Sequence, residues 1–211
     1  MITLHSYWRS TAAYRVRIAL NFKQLDYAQA PHDLRVGEHG AAAYAAVNPQ
    51  KLIPALEVDG AVLTQSLAIL EWLEEAYPEP PLLPATPAER AVVRAMALAI
   101  ACDIHPLNNL RVLARLRADF GAGETAINHW IASWIADGFE AMETMIISHG
   151  GAFAYGDTPT MADCCLVPQV YSARRFNVDL APYPRLVAAA DRAAELNAFG
   201  AAHPSNQPDA D

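Results

Sequence analysis

The chain is predicted to form a small α/β domain followed by an all-helical domain, and three observations predict it. The first residues pass from strand alternation to helical spacing, and Asp59-Gly60 between two apolar runs signals a hairpin. After a stretch with five prolines in residues 78–87, no convincing β alternation remains.

Each element follows from local chemistry. Ile2 and Leu4 alternate with Thr3 and His5 as in a strand, and apolar positions 13, 16, 19 and 20 then take helical spacing. A second short strand at 26–30 completes a βαβ unit by a right-handed crossover. Residues 37–47 are alanine-rich and predicted helical, closed by Asn48-Pro49, because a residue before proline is pushed out of the helical region. The hairpin occupies 55–63. Ser66 is read as the N-cap of a third helix that carries Leu67, Leu70 and Leu73 on one face. The proline-rich stretch is the linker, since so many prolines fit neither a helix nor a central strand. Domain boundaries are therefore placed at 1–81 and 88–211. Beyond the linker, helices are expected over about 88–118, 124–148, 160–173 and 183–198. Thr160-Met161-Ala162-Asp163 forms a capping box with Asp as its acid. Residues 204–211 are polar and predicted to fray.

At 211 residues, the chain can bury enough apolar surface to fold without staples. Its three cysteines, Cys102 and the neighbours Cys164 and Cys165, make neither a disulfide framework nor a metal-ligand spacing, and read as reduced core thiols; no metal is expected. No apolar run approaches a membrane span and no signal peptide precedes the first strand, so a cytoplasmic protein without a membrane partner is expected. A formal net charge of −8 argues against nucleic acid as a partner. Any anionic ligand must then be drawn by local arginines working against the overall field.

The richest stretch runs from Tyr7 to Leu20. Its strand leads through Ser10 and Thr11 into a helix, which sets two hydroxyls beside the unpaired N–H groups of a helix N-terminus, a place that suits an anion. That anion is a phosphate, a carboxylate or a thiolate.

The whole chain resembles the glutathione transferase superfamily, and within it the zeta class. The motifs that carry the resemblance, in this order, are Arg9-Ser10 with Arg15-Val16-Arg17-Ile18-Ala19-Leu20, Asn48-Pro49 before Ile53-Pro54, Gln65-Ser66-Leu67-Ala68-Ile69, Asp157 with Thr160-Met161-Ala162-Asp163, Leu166-Val167-Pro168-Gln169, and Arg175-Phe176 with Val178-Asp179-Leu180. The resemblance implies a thioredoxin-like N-terminal domain that binds glutathione, an all-α C-terminal domain that binds substrate, and a homodimer. It also implies a glutathione-dependent cis–trans isomerase acting on a small anionic dicarboxylate, maleylpyruvate first and maleylacetoacetate as the alternative. Trp8-Arg9-Ser10 and Cys102-Asp103-Ile104-His105-Pro106 look nearer to the maleylpyruvate enzymes. A general glutathione transferase and a non-catalytic binding module are the other readings. The family's Ser-Ser-Cys is Ser10-Thr11-Ala12 here, which removes the cysteine on which reductive dehalogenation relies and leaves hydroxyl chemistry intact.

The resemblance also assigns candidates. Ser66 and Gln65 take the γ-glutamyl end of glutathione, Ile53 before a cis Pro54 presents its backbone to the peptide, and Gln50 and Lys51 either meet the glycyl end or remain solvated. A free thiol titrates near 8.5, so ionising it at pH 7 takes a shift of roughly two units, about 3 kcal/mol. A helix N-terminus gives about 0.3–1 kcal/mol, and a hydrogen bond to a charged group adds about 1.5–3. Both are required, which makes Ser10 the first candidate as donor to the thiolate; Thr11 is the second, unless its side chain caps the helix. Arg9, Arg111 and Arg175 are candidates for holding the substrate's carboxylates and developing charge, with Arg174 a weaker one. His105 and Asn109 lie where the family contacts ligand, although a histidine beside Pro106 in a helical region is more often a satisfied core or boundary residue. Arg15 and Arg17 are assigned to packing and ion pairs, and Trp130, Trp134 and Phe139 to the core.

Overall fold

A computed structural model describes residues 1–211. The chain divides into two compact units, one built from Met1–Leu82 together with Ala194–Asp211, the other from Leu83–Ala193.

The first unit opens with β1 (Ile2–Ser6), α1 (Thr11–Phe22) and β2 (Ala28–Pro31), continues through a short 3₁₀ turn (Glu38–Gly40) and α2 (Ala42–Val47), and closes its first half with β3 (Ala55–Val58), β4 (Ala61–Thr64) and α3 (Ser66–Ala76). The sheet order is β2-β1-β3-β4, with β1 and β2 parallel and the other pairs antiparallel. This is the βαβ–ββα order of a thioredoxin-like domain, as expected. The hairpin turns on Asp59 and Gly60 at φ 49° and 83°, two left-handed residues whose twist matches that of the flanking strands. The 37–47 helix is realised as two pieces, because Gly37 at φ 79° and the extended Ala41 interrupt it.

Helix α1 is buried continuously from Ala12 to Leu20, not only on its apolar stripe. Its second cover is α9 (Asn197–Ala202), which packs along it. Polar side chains of α1 bind the carbonyls of that segment: Arg17 Nε donates to Ala202 O at 3.1 Å, Asn21 Nδ2 to Ala198 O at 3.1 Å, and Tyr14 Oη to Phe199 O at 3.5 Å. Two expectations are corrected here. Residues 194–211 belong to the first unit, not to a helical domain spanning 88–211, and 204–211 are docked instead of frayed. Pro204 and Gln207 are buried, Gln207 Nε2 donates to Ala201 O and His203 O, and Gln29 Nε2 donates to Gln207 Oε1. Polar composition suggested fraying, but these polar groups are satisfied by the protein's own backbone instead of by water.

The second unit consists of α4 (Pro87–Leu98), a π-helical segment (Ala99–Ile104), a 3₁₀ turn (His105–Asn108), α5 (Leu110–Phe120), α6 (Glu124–His149), α7 (Met161–Arg175) and α8 (Pro184–Ala194), the last ending at Ala194, where the first unit's second stretch begins. The single helix expected over 88–118 is thus broken. By length and composition this stretch passes for a membrane span, with 28% of its apolar window buried; Val93, Met96, Ala97, Ile100 and Ile104 are among its buried residues. Gly138 of α6 explains the break locally: a Cβ there would lie 2.3 Å from Ile104 Cδ1, so the bare glycine lets the π segment approach.

Helix α7 starts at the predicted capping box. Thr160 N and Oγ1 donate to Asp163 Oδ2 at 2.8 and 3.0 Å, while Ala154 N donates to Oδ1 at 2.8 Å. Asp163 is fully buried, and burial pushes its carboxyl up to about 6 against the pull of those donors. Phe139 is fully buried, whereas Trp130 and Trp134 are half-buried and edge-on to each other, Trp130 Nε1 donating to Leu107 O at 2.9 Å. Cys164 and Cys165 are core thiols; Cys102 is exposed on the π segment, which corrects its placement in the core.

Candidate active site

The candidate residues divide between the two units. In the first, Tyr7-Trp8-Arg9-Ser10 makes a turn closed by Ser10 N donating to Tyr7 O at 2.9 Å. Ser10 is the N-cap of α1, its Oγ accepting from Ala13 N at 3.2 Å, and Thr11 is the first helical residue. Of the two hydroxyls, Ser10 therefore caps the helix. With the oxygen occupied by Ala13 N–H, the hydroxyl proton is what Ser10 has left to offer. Ala12 is buried one residue further on, where its N–H lies in the first turn, beyond the reach of any intrahelical acceptor. The Arg9 guanidinium lies over the Trp8 ring, 5.2 Å from its centroid.

A second helix N-terminus lies at α3. The cap position there is Gln65, not Ser66, and Ser66 is the first helical residue. Gln65 takes φ 68° and ψ 117°, a strained conformation for a residue with a Cβ, and its side chain caps nothing. The first turn of α3 carries no acidic residue, so its N–H groups are left for an external acceptor. Gln65 Nε2 instead reaches Gln50 Oε1 at 2.9 Å, which brings two predicted residues together. Ser66, 7% exposed, accepts at Oγ from Arg15 Nη1 at 3.2 Å.

The peptide between Ile53 and Pro54 is cis, as expected. The carbonyl just before this pair, Leu52 O, accepts from both Tyr44 Oη and Asn48 Nδ2 at 2.7 Å. Asn48 is almost fully buried and also takes Gln50 N on its Oδ1 at 3.0 Å. In the sequence Asn48 reads as the end of a helix and part of a motif, and its brace on Leu52 and Gln50 shows only in the structure, as does the link from Arg15 to Ser66 across 51 positions. Arg17, assigned to packing, is fully buried and donates to Ser6 Oγ at 3.0 Å and to Trp8 O at 2.9 Å. Tyr7 is buried as well, and burial raises its phenol above the ordinary range.

In the second unit, His105 opens the 3₁₀ turn and Asn109 caps α5, Oδ1 accepting from Arg111 N at 3.2 Å. The Arg111 side chain is exposed. Arg175 ends α7 with its guanidinium 4.5 Å from the Phe176 ring centroid. Arg174, the weaker candidate, is held in an exposed ion pair with Asp191 at 2.8 Å. Asn108, between the candidates, has both side-chain polar atoms buried without a partner.

Comparison with known proteins bears on this arrangement of a hydroxyl-capped helix, a second open helix N-terminus and a cis-proline loop. Residues 4–81 match the family described as glutathione S-transferase, N-terminal domain. A maleylacetoacetate isomerase of Rhizobium meliloti (strain 1021) is 52% identical over 202 residues, covering 95% of each chain. A holo structure of a maleylpyruvate isomerase, described as a bacterial glutathione S-transferase in the zeta class, superposes with a TM-score of 0.97 at 51% identity, over 99% of this chain and 100% of that one. A maleylacetoacetate isomerase from Methylobacterium extorquens AM1, solved with bound malonate and glutathione, gives a TM-score of 0.95 at 38% identity, over 99% of each chain. The chain belongs to the glutathione S-transferase family, in its zeta class.

Proposed function

We propose that this protein is a glutathione-dependent cis–trans isomerase of maleylpyruvate, acting in the cytoplasm as a homodimer, the last two points being supported by the family resemblance. The observation that supports the reading most is the place of Ser10: it caps α1, its oxygen accepting from Ala13 N–H at 3.2 Å, and its hydroxyl proton can still be donated to a sulfur at that helix N-terminus. The residues fit glutathione. The open N-terminus of α3 with Ser66 suits the α-carboxylate of the γ-glutamyl end, Gln65 and Gln50 suit its polar periphery, and Ile53 before the cis Pro54 offers backbone to the tripeptide.

When bound, glutathione supplies a thiolate that adds to the cis double bond and later departs, leaving time for rotation about a single bond. The chain's own residues do the rest. Ser10 donates its hydroxyl proton in a hydrogen bond to the sulfur and, with the α1 N-terminus, favours the ionised form by about the 3 kcal/mol required. Ala12 stands where the family has a cysteine, so no thiol at that position competes. The family resemblance supports Arg9, Arg111 and Arg175 as cations for the substrate's carboxylates and for the charge that grows on its carbonyl oxygen, and His105 and Asn109 as ligand contacts.

The test is the ultraviolet absorbance of maleylpyruvate with enzyme, with and without glutathione. Isomerisation is expected only with glutathione, and Ser10→Ala is expected to lower kcat at least about tenfold with folding intact. Equal rates with and without glutathione would overturn the reading. A second reading, maleylacetoacetate as the preferred substrate, is favoured by the 52% identity to an isomerase of that name. Relative kcat/KM on the two acids decides between them.

A further inference from the structure

We propose that Asp209 is a positioning residue for the Ser10 hydroxyl, and that segment 203–211 is part of the framework of the thiol-activating turn. This deepens the reading of Ser10 given above. The turn Tyr7-Trp8-Arg9-Ser10 has its own hydrogen bond between Ser10 N and Tyr7 O, and that bond leaves both main-chain polar groups of Trp8 unused. Both are taken from outside. Trp8 N donates to Asp209 Oδ2 at 2.9 Å, and Trp8 O accepts from Arg17 Nη2 at 2.9 Å.

The two clamps share an origin. Arg17 is itself anchored through Nε on Ala202 O, the last residue of α9 and the one directly before that segment, so the same stretch of chain also steadies the guanidinium bound to Trp8 O. The segment is in turn tied to the sheet. Gln207 is buried, bonded to the carbonyls of Ala201 and His203 and to Gln29 of β2, and Asp211 pairs with Arg35, which also holds Asp33. A carboxylate delivered on so fixed a segment is a rigid acceptor. Its other oxygen, Oδ1, is buried and bonded to nothing, so the whole hydrogen-bonding function of Asp209 in this place is the Trp8 amide. Ser10 follows two residues after that amide, and its Oγ must hold a direction set by the turn. An acceptor lost at Trp8 frees the turn to rotate as a unit, which moves the hydroxyl without touching it.

The experiment compares Asp209→Ala with Asp209→Asn, since asparagine keeps a carbonyl acceptor and loses only the charge. Two quantities are read: the pH titration of bound glutathione's thiolate by its ultraviolet absorbance, and kcat and KM for the isomerisation. Asp209→Ala is expected to raise the bound thiol's midpoint by about half a unit or more and to lower kcat about five- to tenfold, with KM for the dicarboxylate within about twofold. Asp209→Asn is expected to stay within about twofold of the parent on every measure. A parent-like titration and kcat in Asp209→Ala, or equal damage from both substitutions, would overturn the proposal. Amide hydrogen exchange at Trp8 in the unaltered protein guards against a variant that does not fold: slow exchange is expected, and exchange at the rate of a free amide overturns the proposal by itself. Absence of isomerase activity in the unaltered protein would instead count against the function proposed above, while exchange at Trp8 would still decide the role of Asp209.

Discussion

Arg15 Nη1 donates to Ser66 Oγ across 3.2 Å, which joins the first helix of the chain to the first residue of the helix whose N-terminus lies open. Both residues are buried, so this bond fixes the approach of α3 in a place where water cannot substitute for a missing partner.

Arg15→Lys keeps the charge but not the planar fork, and glutathione is expected to bind roughly tenfold more weakly. Isothermal titration with glutathione measures it; an unchanged Kd would show that Ser66 needs no such support.

Asn48 holds the cis-proline loop by donating to Leu52 O and accepting from Gln50 N. Asn48→Ala leaves the Gln50 amide without its acceptor and Leu52 O with Tyr44 as its only brace, and is expected to cost about 1–3 kcal/mol in urea unfolding. Asn48→Asp keeps the acceptor and sets an oxygen against Leu52 O, so it is expected to be the worse of the two. The reverse order would mean that packing, not hydrogen bonding, is what Asn48 supplies.

Asp163 gives stability a pH dependence of defined sign. Its carboxyl, near 3.8 when unfolded and about 6 when folded, binds a proton more tightly in the native state. The stability linked to its protonation is therefore fully present below about 4 and is lost as pH rises through 6. Asp163→Asn has no such group and loses part of the acceptor set for Thr160 and Ala154, so it is expected to be the less stable protein. The gap between the two in chemical denaturation is expected to widen as pH falls from 7, by up to about 1.4 kcal/mol per pH unit between 6 and 4. A gap that narrows on acidification would refute the assignment.

Gly138→Ala places a methyl 2.3 Å from Ile104 Cδ1 and 2.4 Å from Cγ1. Ile104 must move, and it is the residue directly before His105. The expected cost is about 1–3 kcal/mol in thermal or urea melts. Combined with Ile104→Ala, the two losses are expected to fall short of their sum, because one relieves the other. Strict additivity would exclude that contact as the reason for the glycine.

Much of this was legible in the sequence because the signals were local. The Asp59-Gly60 turn, the strand running into Ser10 and the Thr160–Asp163 capping box each depend on residues within a few positions, and each appears where it was read. The helix expected over 88–118 breaks into α, π and 3₁₀ pieces for a reason that lies in α6, where Gly138 admits Ile104. Pro106, which has no N–H to donate, and the N-cap Asn109 mark the break locally, but no periodicity within 88–118 carries the contribution of Gly138. The docking of 204–211 was hidden likewise, since Gln29 and Gln207 stand 178 positions apart. In the candidate site, the motifs name Arg15 and Asn48 without showing what they hold, and Asp209 emerges only from the geometry, because each works by holding another residue.

The composite make-up of the first unit also sets an order of events during synthesis. Its sheet and α1 are translated first, yet the α9 segment that covers α1 and anchors Arg17 is translated after the whole of Leu83–Ala193. The helical unit, contiguous in sequence, has all its residues available while the earlier-made unit still lacks a wall. On the ribosome, therefore, the part that begins first finishes last, and α1 remains uncovered on one side until residues 194–211 emerge.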